Sequence, residues 1–265
     1  MDQPARSWSE FVGMTARDDA VVLDVEPRHY NADGGVLHGG IIASLMLHAA
    51  VTAAPQTRVL DCQINYLKSI KAGRAEARAR VRRAGRRFTV IDTELTGPDE
   101  VLLASASWVL VAGEIDQAPV RAHQALALPA PAAEASPIGR LLDAFNANMA
   151  KRLPGIAIER LQPGYCLLTL ADTSAGRQAS GEGIDPGLIL LAMDNAAIFA
   201  GFGLLRNPTR ASTIDLKMTL HGQAHGDLRI SGHSLTQREN LVHNLVMVRD
   251  EANALIAHGS MSFVG

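Results

Sequence analysis

Apolar residues follow two patterns along this chain, one long run and several alternating segments. The run of small and apolar residues extends from Ile41 to Ala54, contains no Asp, Glu, Lys or Arg, and is followed by Pro55. About fourteen residues are too few to cross a bilayer but enough for a buried helix. Segments 59–67 and 75–83 alternate in the way typical of half-buried strands, and 20–26, 88–95 and 101–111 are also predicted to be strands. Short strands around one helix predict a curved antiparallel α+β sheet.

The buried helix begins at a pair of glycines, Gly39 and Gly40, directly after His38. Glycine lets another group approach the backbone N–H groups that lack a partner at the start of a helix. Those N–H groups and the positive end of the helix dipole suit a carbonyl oxygen that becomes negative during a reaction. The pattern therefore predicts an oxyanion-binding helix start, with Asn31 and His38 beside it.

The chain also contains an internal repeat. With an offset of 153 residues, 104–112 falls on 257–265 without a gap. With an offset of 147, the segment 38–40 falls on 185–187, and Leu47 falls on Asp194. Two landmarks at nearly equal offsets favour duplication of one unit.

The segment between the two copies is rich in Ala and Pro and has no sustained periodicity, which predicts a semi-rigid linker. We therefore predict an N-terminal domain over 1–112, a linker over 113–136 and a C-terminal domain over 137–265.

Composition narrows the possible functions. The chain is 47% hydrophobic and 20% charged, with a net charge of −2, so the overall balance predicts neither nucleic acid nor an anionic membrane as a partner. The first residues lack the apolar core of a signal peptide, and no run reaches transmembrane length, so a cytoplasmic protein is expected. Its two cysteines, Cys62 and Cys166, are expected to be buried free thiols rather than a metal site.

The segment from Asn31 to the His38-Gly39-Gly40 helix start resembles the hotdog-fold acyl-CoA thioesterases, in particular the phenylacetyl-CoA and 4-hydroxybenzoyl-CoA thioesterase type. In that family a carboxylate lies on the helix nine residues after the His. Leu47 occupies that position in the first half, whereas Asp194 lies nine residues after Asp185 in the second. The resemblance implies two tandem hotdog domains, each a curved antiparallel sheet wrapped around a long helix, packed as an intramolecular pseudo-dimer.

The resemblance also implies one composite site. The family combines the Gly-containing helix start of one protomer with the acid of the other, so Asp194 would act with the first-half residues. Asp194 would be general base or nucleophile, and the N–H of Gly40, together with that of Gly39, would bind the carbonyl oxygen. Asn31 would orient the water or the Asp, and His38 would hydrogen-bond near the thioester. An aspartate on an apolar helix is expected to have a raised pKa.

The equivalent site at the other end is expected to be degenerate. It would pair Asp185-Pro186-Gly187 with Leu47 and His48, and Pro186 lacks the backbone donor that an oxyanion hole needs. We interpret His48 as a core histidine.

Further residues have two interpretations each. Asn195 orients the thioester or packs as a helix amide, and Asp194 itself is a catalytic or a structural carboxylate. Four arginines flank a hairpin turn, and they either bind the coenzyme A phosphates or form a solvated basic surface: Arg82, Arg83, Arg86 and Arg87.

The predicted function is hydrolysis of an acyl-CoA thioester to free acid and coenzyme A, without metal or organic cofactor. Homo-oligomers of double-hotdog chains are an expected further assembly. A non-catalytic acyl-CoA binding or sensing protein is the first alternative, and a hotdog dehydratase or hydratase is the second. The acyl group is left open, as is the choice between coenzyme A and acyl carrier protein.

Overall fold

The computed structural model describes residues 7–31, 35–113, 146, 153, 155–202, 204–205 and 211–265. Within these residues the α-helices are α1 (Trp8–Val12), α2 (Gly39–Ala53) and α3 (Pro186–Phe202). The strands are β1 (Thr15–Arg17), β2 (Ala20–Val25), β3 (Thr57–Tyr66), β4 (Gly73–Ala84), β5 (Phe88–Thr96), β6 (Leu102–Ala112), β7 (Ile156–Gln162), β8 (Tyr165–Leu170), β9 (Ser212–Leu220), β10 (Leu228–Arg238), β11 (Leu241–Arg249) and β12 (Leu255–Val264).

These strands form one antiparallel sheet in the order β1-β2-β4-β5-β6-β3-β9-β12-β11-β10-β8-β7. The first six strands of the chain occupy one half of the sheet and the last six occupy the other. The halves meet at the β3–β9 pair, where Cys62 lies opposite Met218. Counted from either edge, the strands follow the same pattern, so that β3 corresponds to β9, β6 to β12 and β5 to β11.

The two long helices lie against each other and are antiparallel. A Cβ on Gly40 would overlap the Cα of Leu191, and a Cβ on Gly187 would overlap the hydroxyl of Ser44. Along the chain, the first pair joins the start of α2 to the middle of α3, and the second pair joins the middle of α2 to the start of α3. The two glycines therefore allow the helices to approach at backbone distance.

Both helices are apolar all round, as expected of helices enclosed by other elements. Leu45 and Met46 of α2 and Leu190 and Leu191 of α3 are fully buried. Trp8 is also fully buried, and its indole N–H donates to Ser44 Oγ, in the middle of α2, at 2.7 Å.

The predicted helix and strands of the first half are confirmed, with boundaries that shift by one or two residues. Cys62 and Cys166 are buried free thiols, as expected, and burial raises the pKa of both. The predicted linker, 113–136, lies outside the described residues apart from Gly113. In the described part of the chain, no helix combines the length and apolarity needed to span a membrane.

Gly232 of β10 tests how tightly the sheet packs on α3. A Cβ at this position would overlap the carbonyl oxygen of Ala196, and backbone cannot move aside as a side chain can. We expect Gly232→Ala to lower the free energy of unfolding by about 1–3 kcal/mol, the usual cost of overpacking, in urea denaturation. Gly35→Ala is the control, because a Cβ there would meet nothing within 4 Å. Equal stabilities of the two variants would show that the α3–β10 contact is loose.

Candidate active site

A cavity of about 270 Å³ lies where the start of α2 faces the middle of α3. We call it the first cavity. It is closed on its third side by the end of β3 and the start of β9. The polar and glycine residues that line it include Asn31, His38, Gly39, Tyr66, Asp194 and Thr213.

Asp194 is completely buried, and both of its carboxylate oxygens are hydrogen-bonded. Oδ2 accepts the N–H of Gly40 at 3.0 Å, and Oδ1 accepts the hydroxyl of Thr213 at 3.0 Å. His38 Nδ1 lies 3.2 Å from Oδ2. A carboxylate of α3 is thus held partly by the first turn of α2, from the other half of the chain.

His38 is the N-cap of α2 and links the helix start to Asn195. Its Nδ1 accepts the N–H of Gly40 at 3.0 Å, and its Nε2 lies 3.3 Å from Asn195 Oδ1. The amide of Asn195 is oriented by its own donation to the Leu191 carbonyl at 2.9 Å. Because Asn195 Oδ1 can only accept, Nε2 carries a proton.

Burial controls the protonation of this cluster. Removal from water raises the pKa of Asp194, although the contacts with His38, Thr213 and Gly40 oppose that rise. Burial, and the nearby Asp194 charge, raise the pKa of Tyr66 well above its usual value. The Tyr66 hydroxyl therefore stays protonated, and it donates to the Gly39 carbonyl at 3.1 Å.

The two glycine N–H groups differ in availability. Gly40 N–H is occupied by Asp194 and His38. Gly39 lines the first cavity, and none of the described residues accepts a hydrogen bond from its N–H. Of the two predicted oxyanion donors, the N–H of Gly39 is therefore the one that is not already hydrogen-bonded to Asp194.

The other predicted residues differ in their position relative to the first cavity. Asn31 lines the first cavity, and its Oδ1 accepts the N–H of Gly35 at 3.4 Å. Asn195 lies behind His38 rather than on the cavity wall. Thr213 and Tyr66 are not among the sequence-predicted residues. The offset of 153 aligns Thr213 with Leu60, so the repeat itself carries no signal for it.

The hairpin that carries the four arginines lies beside the start of β3, whereas the first cavity lies beside its end. Arg87 O accepts the N–H of Ala112, which pairs with Thr57 at the start of β3, whereas Tyr66 at the end of β3 lines the first cavity. A strand of that length separates the two places by roughly 30 Å. The structure therefore does not bring Arg82, Arg83, Arg86 and Arg87 to the first cavity.

A larger cavity, of about 620 Å³, lies beside the start of β3, where the start of α3 faces α2. We call it the second cavity. Asp185, the residue before α3, accepts the N–H of Gly187 at 2.7 Å. Its Oδ2 lies 3.3 Å from His48 Nε2. Each cavity thus contains one Asp–His pair that joins the two halves of the chain.

No group of three or more His, Cys, Asp or Glu side chains within the described ranges is placed to hold a metal ion.

Residues 26–110 match the family model of the acyl-CoA thioesterase N-terminal domain. No curated protein matches the sequence significantly.

Solved structures match over nearly the whole chain. A candidate thioesterase II from Thermobifida fusca YX is 15% identical with a TM-score of 0.70, and the match covers 97% of each chain. A conserved protein with a hot dog fold from Alicyclobacillus acidocaldarius is 13% identical with a TM-score of 0.69, over 97% of each chain. The acyl-CoA thioesterase II TesB2 from Mycobacterium marinum is 13% identical with a TM-score of 0.65, over 97% of this chain and 95% of that one. At these identities the likeness establishes the hotdog fold.

The raised pKa of Asp194 makes a prediction about stability. In the folded protein Asp194 binds its proton more tightly than in the unfolded chain, where the ordinary value is 3.8. Its contribution to stability is therefore fully present below pH 3.8 and is lost as the pH rises through the folded-state pKa. We expect the difference in free energy of unfolding, wild type minus Asp194→Asn, to decrease as the pH rises from 3.8 through the folded-state pKa of Asp194. Denaturation experiments at a series of pH values measure this difference. A difference that is constant with pH would contradict the raised pKa.

Proposed function

We propose that this chain is a hotdog-fold thioesterase that hydrolyses acyl-CoA thioesters at the first cavity, which the match of residues 26–110 to an acyl-CoA thioesterase domain and the hotdog fold support. The products are the free acid and coenzyme A. The observation that carries the proposal is the 3.0 Å hydrogen bond from Gly40 N–H to Asp194. It joins an oxyanion-type helix start and a buried carboxylate, separated by 154 residues in the sequence, at one cavity.

We propose further that the chain is a tandem pair of hotdog domains, 1–112 and 137–265, joined by the linker 113–136, and that the site is therefore composite. The matching strand order from both edges of the sheet supports duplication. The antiparallel contact of α2 with α3 supports the packing of a pseudo-dimer.

Asp194 acts as the general base in this mechanism. It takes a proton from water while the water oxygen bonds to the thioester carbon. Direct attack by the carboxylate would require its oxygens to leave Gly40 and Thr213, whereas proton transfer through water leaves those hydrogen bonds in place. Breakage of the C–S bond then returns the proton to the thiolate of coenzyme A.

The negative charge on the carbonyl oxygen is stabilised by the start of α2. The N–H of Gly39 donates to this oxygen, with the positive end of the helix dipole behind it. Thr213 and His38 fix the orientation of the Asp194 carboxylate, and Asn195 fixes the ring of His38. Asn31, on the cavity wall, orients the attacking water. The groups named here are all the chain's own, so we propose that the reaction needs no metal or organic cofactor.

The rim of the first cavity suits an apolar acyl or pantetheine group with a charged end. Leu67 and Ile214 are 57% and 41% exposed, unusually high for large apolar residues. Lys68 is the one Lys or Arg among the described residues that line this cavity. We propose that Lys68 contacts a phosphate of coenzyme A.

Asp194→Asn tests the base. We expect the rate of thiol release from acyl-CoA to fall roughly 100- to 10,000-fold, because the amide cannot take a proton from water. The measurement uses a free-thiol reagent with short, medium, long-chain and aromatic acyl-CoAs, with and without a chelator. Asp215→Asn is the matched control. It removes the same charge two residues from Thr213, where Asp215 accepts the Ser262 N–H instead.

Full turnover by Asp194→Asn would contradict the assignment of the base. Binding without thiol release by wild type, across the whole panel, would favour the sensing protein over the enzyme. Incorporation of ¹⁸O from labelled water into Asp194 during a single turnover would contradict general-base catalysis, because only a covalent acyl-Asp intermediate places the label there.

Lys68→Glu tests the coenzyme A end of the substrate. A reversed charge at an exposed contact changes binding by about 1 kcal/mol, so we expect KM for acyl-CoA to rise about fivefold with little change in kcat. The same variant should treat an acyl thioester of N-acetylcysteamine as wild type does, since this substrate lacks the phosphates. Equal effects on both substrates would show that Lys68 acts on the acyl group or on folding.

A further inference from the structure

We infer that the second cavity is a separate binding site for an acyl-CoA thioester, which it holds without hydrolysis. The first observation is its size and wall. At about 620 Å³ it falls within the range of small-molecule sites. Its apolar wall comes from both halves of the chain and includes Leu47, Val51, Val59, Ile184, Ile189 and Leu220. Such a wall suits an acyl chain.

A second observation is the polar pair on that wall. His48 Nε2 is buried and faces Asp185 Oδ2 at 3.3 Å, without the alignment of a hydrogen bond to any described residue. The side chain of His48 is 22% exposed and lines the cavity. The Nδ1 edge is thus the part of the imidazole that a ligand can reach. Although burial lowers the pKa of His48, the Asp185 carboxylate raises it, with a net rise. A protonated Nδ1 donates to a thioester carbonyl.

The arrangement mirrors that of the first cavity with the partners exchanged. In the first cavity the helix N-cap is His38 and the neighbouring helix supplies Asp194. In the second cavity the residue before the helix is Asp185, and the neighbouring helix supplies His48. The exchange is not position for position, because the offset of 147 aligns His48 with Asn195, but the 620 Å³ cavity keeps an Asp–His pair rather than packing residues alone.

The exchange removes the hydrolytic machinery. Leu47 stands where the repeat aligns Asp194, so the position of the base holds an apolar side chain. Pro186 lacks an N–H, and the N–H of Gly187 already donates to Asp185. No free backbone donor of this helix start remains to stabilise an oxyanion, which makes the second cavity a binding site only.

A third observation is the charge at this end of the sheet. Arg58 and His225 line the second cavity. Arg58 pairs with Val111, and Val111 pairs with Phe88, the residue after Arg87. Two strand spacings therefore separate Arg58 from the basic hairpin, about 10 Å. The arginines that lie far from the first cavity are thus nearer to the second, where coenzyme A phosphates would complement them.

Calorimetric titration with S-octyl-coenzyme A, a thioether that cannot be hydrolysed, tests the inference. We expect wild type to bind two equivalents. Ala179→Trp, at an exposed position on the second cavity, should fill it and leave one equivalent. Arg58→Glu should weaken one equivalent about fivefold, and Lys68→Glu should weaken the other, as a matched pair of charge reversals. Unfolding curves that coincide with wild type exclude a folding defect.

Several outcomes separate this inference from the proposed function. A single equivalent in wild type that Lys68→Glu weakens and Ala179→Trp leaves intact would overturn the inference and spare the function. A single equivalent that Ala179→Trp abolishes would support the second cavity and overturn hydrolysis at the first. Octanoate that binds the second cavity as tightly as S-octyl-coenzyme A would overturn the assignment to a coenzyme A thioester.

Discussion

The structure depends on the close approach of two buried helices. Gly40 and Gly187 leave no side chain where α2 and α3 cross, so the helix backbones come close together. This distance lets a backbone N–H at the start of one helix reach a carboxylate in the middle of the other. A methyl group at Gly40 would separate the helices and with them Asp194 from its donor. The same contact encloses the carboxylate, and burial raises its pKa.

Several of the elements that the sequence predicts correctly have a clear pattern of apolar and polar residues. Strands β3 and β4 alternate apolar and polar residues, and α2 is a run of mainly small and apolar residues without Asp, Glu, Lys or Arg, so each of these elements carries its own signal. The position of Asp194 follows from its spacing to Asp185, because the repeat preserves the helix. The proposed division at 112 and 136 stays a prediction, because the segment between them lies outside the described residues.

Other features depend on register and contact, which composition does not encode. Thr213 reaches Asp194 only because β9 begins beside α3, and its counterpart in the repeat is an apolar residue. The basic hairpin, a candidate for binding the coenzyme A phosphates, lies at the end of β3 opposite the first cavity because of strand direction. Gly40 and Gly39 look alike in sequence. They differ in the structure because the carboxylate has already engaged one N–H and not the other.

The β3–β9 seam joins the two halves of the sheet by backbone pairing from Asp61 to Asn65 with Thr219 to Asp215. Either half alone would expose this seam as an open edge strand, which pairs readily with other chains. Covalent connection makes the pairing intramolecular, so that its effective concentration does not depend on how much protein is present. Each half then always meets the same, non-identical neighbour. Under that condition the two halves need not carry the same side chains at equivalent positions, whereas the subunits of a homodimer must.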